Sequence, residues 1–160
     1  SYTKRFTPLC HLVLGLGLSL APIGAYIAVT GHFAMLPLIY SFIVLTWVSG
    51  FDIIYSLQDD EFDRETGLYS IPAVMSRGKA LAVSSALHAV SVALVAVAGV
   101  AGDAGYIYWA GAAIFIVMLI YQHLIVRPGD LSRVNLAFGT TNGIAGVIFG
   151  LAVVLDLLLL

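Results

Sequence analysis

The sequence predicts an all-α membrane protein of five transmembrane helices, and three observations carry that prediction. Of the 160 residues, 61% are hydrophobic and 10% are charged, where a soluble domain has about a quarter charged; the mean hydropathy is +1.02. The runs from Phe6 to Phe51 and from Ala80 to Gly102 contain no Asp, Glu, Lys or Arg, and an apolar span needs only about 20 residues. With five spans, all seven basic residues fall on one side of the bilayer, which the positive-inside rule makes cytoplasmic. One cysteine, Cys10, excludes an internal disulfide and a cysteine-rich metal cluster, and reads as a small buried hydrophobe. No basic run points to nucleic acid.

Taken in order, Ser1 to Pro8 is a polar segment with Lys4 and Arg5 just ahead of the first span, residues 9–29. Gly15, Gly17, Ser19 and Ala21 predict close helix contacts there, and Pro22 predicts a kink. No small-residue cleavage site follows this run, so it reads as a span rather than a leader. A chain that starts at Ser1 inside a polar segment suggests a longer parent. The second span covers 34–55. Residues 56–79 are too polar to cross and predict an interfacial cap. The third span covers 80–100. The fourth, 106–124, opens with the interfacial aromatics Tyr106, Tyr108 and Trp109. The fifth covers 134–156, with Gly139, Gly143, Gly146 and Gly150 in a packing ladder.

The charge is concentrated where the second span meets the cap. Six of the nine acidic residues lie between Asp52 and Glu65. Asp52 sits inside or at the end of an apolar helix, where a carboxylate is costly and is usually functional. If that helix continues past Tyr55, Asp52, Asp59 and Asp63 share a face at i, i+7 and i+11. Asp59 and Asp63 are then i,i+4 neighbours that repel unless they share a hard cation, and Mg²⁺ typically bridges one or two carboxylates to a substrate phosphate. Asp60 and Glu61 point elsewhere and read as hydrated. The competing reading is an ordinary solvated loop balanced by Arg64, Arg77 and Lys79. Lys4 and Arg5 read either as a positive-inside anchor or as a phosphate clamp facing the aspartates, with Arg77 and Lys79 weaker candidates for that role. Asn135 and Asn142 either hydrogen-bond between helices or line a polar cavity. The four histidines have no metal-ligand spacing, and His88 reads as an interior hydrogen-bonded residue.

At these residues the chain resembles the UbiA-type membrane aromatic prenyltransferase superfamily, and within it the 4-hydroxybenzoate polyprenyltransferases of ubiquinone or menaquinone biosynthesis. The match is carried by Tyr2-Thr3-Lys4-Arg5-Phe6-Thr7, by Gly50-Phe51-Asp52-Ile53-Ile54-Tyr55-Ser56-Leu57-Gln58-Asp59-Asp60-Glu61-Phe62-Asp63 with Gly67-Leu68-Tyr69-Ser70-Ile71-Pro72, and by His123-Leu124-Ile125-Val126, Asp130-Leu131-Ser132-Arg133-Val134-Asn135 and Asn142-Gly143. The resemblance implies a nine-helix bundle with two aspartate-rich motifs on facing cytoplasmic loops, each holding Mg²⁺ against a polyprenyl diphosphate. It implies that Asp59 and Asp63 are the second motif's metal ligands, that Asp52 is a further catalytic residue, and that Lys4, Arg5 and Arg64 meet the diphosphate. Tyr55 would face an allylic cation or anchor a helix interface, and Asn135 and Asn142 would contact substrate. The acceptor implied is an aromatic acid such as 4-hydroxybenzoate. The chain departs from the pattern in having five spans and no first motif, so it resembles helices five to nine. It would need the N-terminal helices to be active.

Three rivals remain at this stage. A transporter or channel fits the glycines and intramembrane polar groups, though its acids belong at mid-membrane. A prenyltransferase with another acceptor (haem, chlorophyllide or a naphthoate) shares the same motifs. A non-catalytic membrane subunit predicts that Asp59→Asn changes no chemistry.

Overall fold

The computed structural model describes residues 2–159. A 3₁₀ turn, Tyr2–Arg5, leads into α1 (Cys10–Thr30). α2 spans Met35–Ser56, and the cap that follows holds the short helices α3 (Asp60–Glu65) and α4 (Ile71–Val74). α5 (Arg77–Ala101) and α6 (Tyr106–Ile125) come next. A π-helical turn over Leu136–Thr141 then runs directly into α7 (Asn142–Leu159). Five segments, Cys10–Thr30, Met35–Ser56, Arg77–Ala101, Tyr106–Ile125 and Leu136–Leu159, are long and apolar enough to cross a bilayer. The chain is an integral membrane protein built as an all-α, five-helix bundle.

The ends of these helices follow from local chemistry. Gly31 closes α1 with φ 74°, a left-handed conformation that costs glycine little. Ser70 and Ser76 accept the Ala73 and Lys79 amides, which caps α4 and α5. α1 runs through Pro22, and the amide just beyond it, Ile23, donates to Ser41 Oγ of α2 at 3.3 Å. The proline thus opens the ladder where a neighbouring hydroxyl can fill it.

α2 is the central element, packing against α1 on one side and α5 on the other, while α6 pairs with α7. α1 and α2 meet at Gly15, where an added Cβ would lie 2.6 Å from the Leu45 carbonyl oxygen. Only glycine allows that approach. The glycine ladder of the last span behaves differently from its sequence reading. Among the described residues Gly146 meets Trp47, while Gly139, Gly143 and Gly150 have no neighbour within 4 Å of an added Cβ. The α6–α7 contact instead runs through Gly111 against Ala152.

Two apolar clusters form the interior. One joins Ile43, Val95, Tyr108, Phe115, Leu119 and Phe149. The other, around Ile53, Ile54, Leu57, Ile71, Ala80 and Val134, packs beneath the cap.

Candidate functional site

The site is assembled by the cap folding onto the start of α1. The Tyr69 amide donates to the Lys4 carbonyl at 2.6 Å, and the Leu68 amide to the Asp63 carbonyl at 2.7 Å. The first bond ties Tyr69 to the 3₁₀ turn and the second ties Leu68 to α3, which brings Lys4 beside α3. α2 does not continue into α3. At Leu57, Gln58 and Asp59 the amides donate to carbonyls three residues back, so the single helical face expected for Asp52, Asp59 and Asp63 is broken. The tightened turn keeps Leu57 fully buried in the lower cluster and sets Asp60, at the start of α3, against Arg77.

Asp52 and Asp59 nevertheless share one pocket, and Lys4 links Asp63 to it. Lys4, Cys10, Leu14, Asp52, Tyr55, Ser56 and Asp59 line a pocket of about 300 Å³. Lys4 Nζ lies 3.0 Å from Asp63 Oδ2 and 3.9 Å from Asp59 Oδ2. An ammonium therefore sits at the position expected for a shared cation. The Asp63 side chain is 2% exposed and Asp59 is 53% exposed, so one carboxylate is enclosed and its neighbour is open. Among the described residues, no three His, Cys, Asp or Glu side chains surround one point. Mg²⁺ needs fewer protein ligands than that when substrate phosphate and water complete its shell. The hard oxygens of Asp59 and Asp63 fit such an ion.

Asp60 corrects the sequence reading. It is 1% exposed rather than hydrated. Arg77 grips it with two bonds, Nε to Oδ2 at 2.9 Å and Nη2 to Oδ1 at 2.8 Å, and Arg64 reaches it from one turn ahead. The Arg77 guanidinium holds its carboxyl below the usual carboxylate range against the opposing effect of burial. Arg64 and Arg77 are thus both engaged with the buried Asp60 while staying partly exposed themselves, and Arg77 also bonds Glu61 at 3.2 Å. Arg5 is exposed and lies over the Tyr2 ring, 5.3 Å from its centroid.

The asparagines lie outside the pocket and hydrogen-bond between elements. Gln58 Nε2 donates to Asn135 Oδ1 at 3.1 Å, and Trp47 Nε1 to Asn142 Oδ1 at 3.3 Å. Asn142 Nδ2 and the side chain of Gln122 are buried without a hydrogen-bond partner among the described residues. Tyr55 stands at the pocket wall and stacks on Phe138 at 4.1 Å. From there the rings of Phe51, Trp47, Phe115 and Phe149 continue edge to face or tilted into the bundle. They reach a crevice of about 230 Å³ that Trp47, Phe115 and Phe149 line with Pro22 and Tyr40.

Sequence reasoning missed His11. It is 0% exposed, its Nδ1 lies 2.6 Å from Asp52 Oδ2, and its Nε2 accepts the Ile71 amide at 3.3 Å. Forty-one residues separate the pair, so no local spacing links them. The usable signal was depth: His11 opens one span and Asp52 nearly closes the next, which places them level in an antiparallel hairpin. His88 and His123 also pair, at 2.8 Å, with Trp47 O and Ser85 Oγ at the two ends. That chain lies away from the aspartates.

Three comparisons bear on this arrangement. The chain is similar to the 4-hydroxybenzoate octaprenyltransferase of Francisella tularensis subsp. novicida (strain U112), 25% identical over 96% of this chain and 54% of that protein. It is similar to the enzyme of that name from Xanthomonas euvesicatoria pv. vesicatoria (strain 85-10), at 30% identity over 95% of this chain and 50% of that protein. The chain thus spans about half the length of the curated relatives it matches. The fold superposes on the apo structure of a UbiA homolog from Aeropyrum pernix K1 with a TM-score of 0.84 and 34% identity, covering 98% of this chain and 58% of the other. The model of the UbiA prenyltransferase family matches residues 1–155, and on that near-complete match the chain belongs to this family.

Proposed function

We propose that the chain corresponds to helices five to nine of a nine-helix, Mg²⁺-dependent prenyltransferase. The full-length enzyme would transfer a polyprenyl group from polyprenyl diphosphate to an aromatic acid such as 4-hydroxybenzoate, in quinone biosynthesis. The N-terminal helices would supply the first aspartate-rich motif, and the acidic pocket would face the cytoplasm. The observation that carries this reading is the convergence of Lys4, Asp59 and Asp63 at the mouth of an aromatic-lined apolar bundle. The names of the relatives favour 4-hydroxybenzoate as acceptor.

In this reading Asp59 and Asp63 would hold Mg²⁺, which when bound would supply Lewis-acid neutralisation of diphosphate charge. Lys4 adds a fixed positive charge where negative charge develops, the placement that lowers a barrier most. Cleavage of the donor's C–O bond leaves an allylic cation, and the Tyr55 ring face at the pocket wall stabilises it. The ring carbon ortho to the acceptor hydroxyl then forms the new C–C bond. The isoprenoid tail lies along Phe138, Phe51 and Trp47, a surface that shields the cation from water.

The test is prenyl transfer from geranyl diphosphate by the full-length protein, with and without Mg²⁺, to 4-hydroxybenzoate and a panel of other acceptors. Activity that requires the metal and is lost in Asp59→Asn is the expected result. Activity that survives Asp59→Asn removes this residue from the metal site. Silence across the whole acceptor panel overturns the prenyl-transfer reading.

A further inference from the structure

Building on that prenyl-transfer reading, we propose that Asp52 accepts the proton that the acceptor ring must lose, and that His11 is the positioning residue that presents Asp52 for this step. The carboxylates at this end of the bundle differ in their partners. Asp60 is saturated by Arg77 and Arg64, and Asp63 and Asp59 face Lys4. Each of those three thus already faces a cationic side chain. Asp52 is the pocket carboxylate whose only protein hydrogen bond among the described residues comes from a histidine.

The histidine's own contacts define its role. Its Nε2 accepts the Ile71 amide, so the hydrogen-bond pattern assigns the ring proton to Nδ1, the atom facing Asp52. With Nδ1 already protonated and Nε2 already engaged, His11 is a neutral donor rather than the proton's destination. It is also immobile. The ring is fully buried, Ser49 Oγ donates to the His11 carbonyl at 3.2 Å, and Gly15 one turn on brings α1 hard against α2. His11 therefore fixes Asp52 Oδ2 and leaves Oδ1 for the pocket.

The step balances without a further reactant. The donor's C–O bond breaks with its electron pair on the diphosphate oxygen, and a ring π pair forms the new C–C bond. The cationic ring then gives its C–H proton to Asp52 Oδ1, and that C–H pair restores aromaticity. Asp52, now neutral, returns the proton to water through the pocket.

The experiment uses the full-length protein, geranyl diphosphate, and 4-hydroxybenzoate either protiated or deuterated at the carbons ortho to the hydroxyl. In Asp52→Asn we expect kcat to fall about 10²- to 10⁴-fold, the usual reach of a general base, with an isotope effect on kcat larger than the wild type's. His11→Leu should lower kcat by roughly tenfold to a hundredfold, leave KM for the donor unchanged, and raise the isotope effect in the same way. His11→Gln, whose amide both donates and accepts, should recover most of the rate and the wild-type isotope effect. Wild-type isotope effects in both Asp52→Asn and His11→Leu would overturn the proposal and leave prenyl transfer standing. If His11→Leu does not fold, the Asp52→Asn isotope effect decides alone. A wild type that transfers to no acceptor overturns both readings.

Discussion

The two ends of the bundle both carry carboxylates in an otherwise apolar chain, and they use them in opposite ways. Where the end of α7 meets the start of α6, Asp156 is 4% exposed, and its two oxygens accept the Gly105 amide at 2.8 Å and the Tyr108 amide at 3.1 Å. It caps α6 from another helix, satisfying amides that the first turn cannot satisfy itself. At the other end, Asp59 is half exposed near a single ammonium, and Asp52 has one oxygen held by His11. Asp60 lies among these open carboxylates but resembles Asp156, because every donor it needs is already present. An acid in an apolar chain marks a ligand site only where its acceptor capacity is left unfilled by the protein.

That contrast can be broken by substitution. If the proposed prenyl transfer holds, Asp59→Asn in the full-length protein should lower its kcat by about 10²- to 10³-fold, the scale for removing one stabilising group from developing charge, with no change in Tm in detergent. A falling Tm would put Asp59 with the structural carboxylates. Asp60→Ala should do the reverse. Losing charged hydrogen bonds to a buried acceptor costs about 2–3 kcal/mol, to be read as a lowered Tm, while turnover per folded molecule is retained. An unchanged Tm would place Asp60 with Asp59 rather than with the structural carboxylates.

Asp156→Ala removes a cap worth about 1 kcal/mol. Hydrogen exchange should quicken at the Gly105 and Tyr108 amides and not in the cap helices, and equal exchange at both ends would count against the capping role. The smallest effect is a pH dependence. Asp60 has a lowered pKa when folded, caused first by its bond to Arg77, so its stabilisation is complete above the ordinary carboxylate value of about 4. It is lost as pH falls through the lowered folded value. Proteolysis within residues 60–74 should therefore accelerate only below about pH 4, and acceleration nearer neutrality would point to a different group.

Sequence alone determined the class of this protein, because hydropathy is additive along the chain. Uncharged runs of this length have few other folded fates, and each of the five became a helix long enough to span. The Lys4 and Asp59–Asp63 blocks were also legible as a charged constellation, since residue type and spacing carry that information. Which carboxylate does what was decided only by the tertiary structure. Asp59 and Asp60 are adjacent and chemically identical, yet the i→i−3 turn at Leu57–Asp59 sends one to the pocket and the other to Arg77. The glycine ladder shows the same limit: small residues permit close approach, but only the packing shows that among the described residues Gly146 is the one of the four that meets a neighbour. His11 reaches Asp52 because Gly15 lets α1 close on α2 and the cap amide of Ile71 takes the other ring nitrogen. A contact between residues 41 apart depends on the depth and register of two helices. Composition and local periodicity do not encode that register, and the hydrogen bonds of a folded site do.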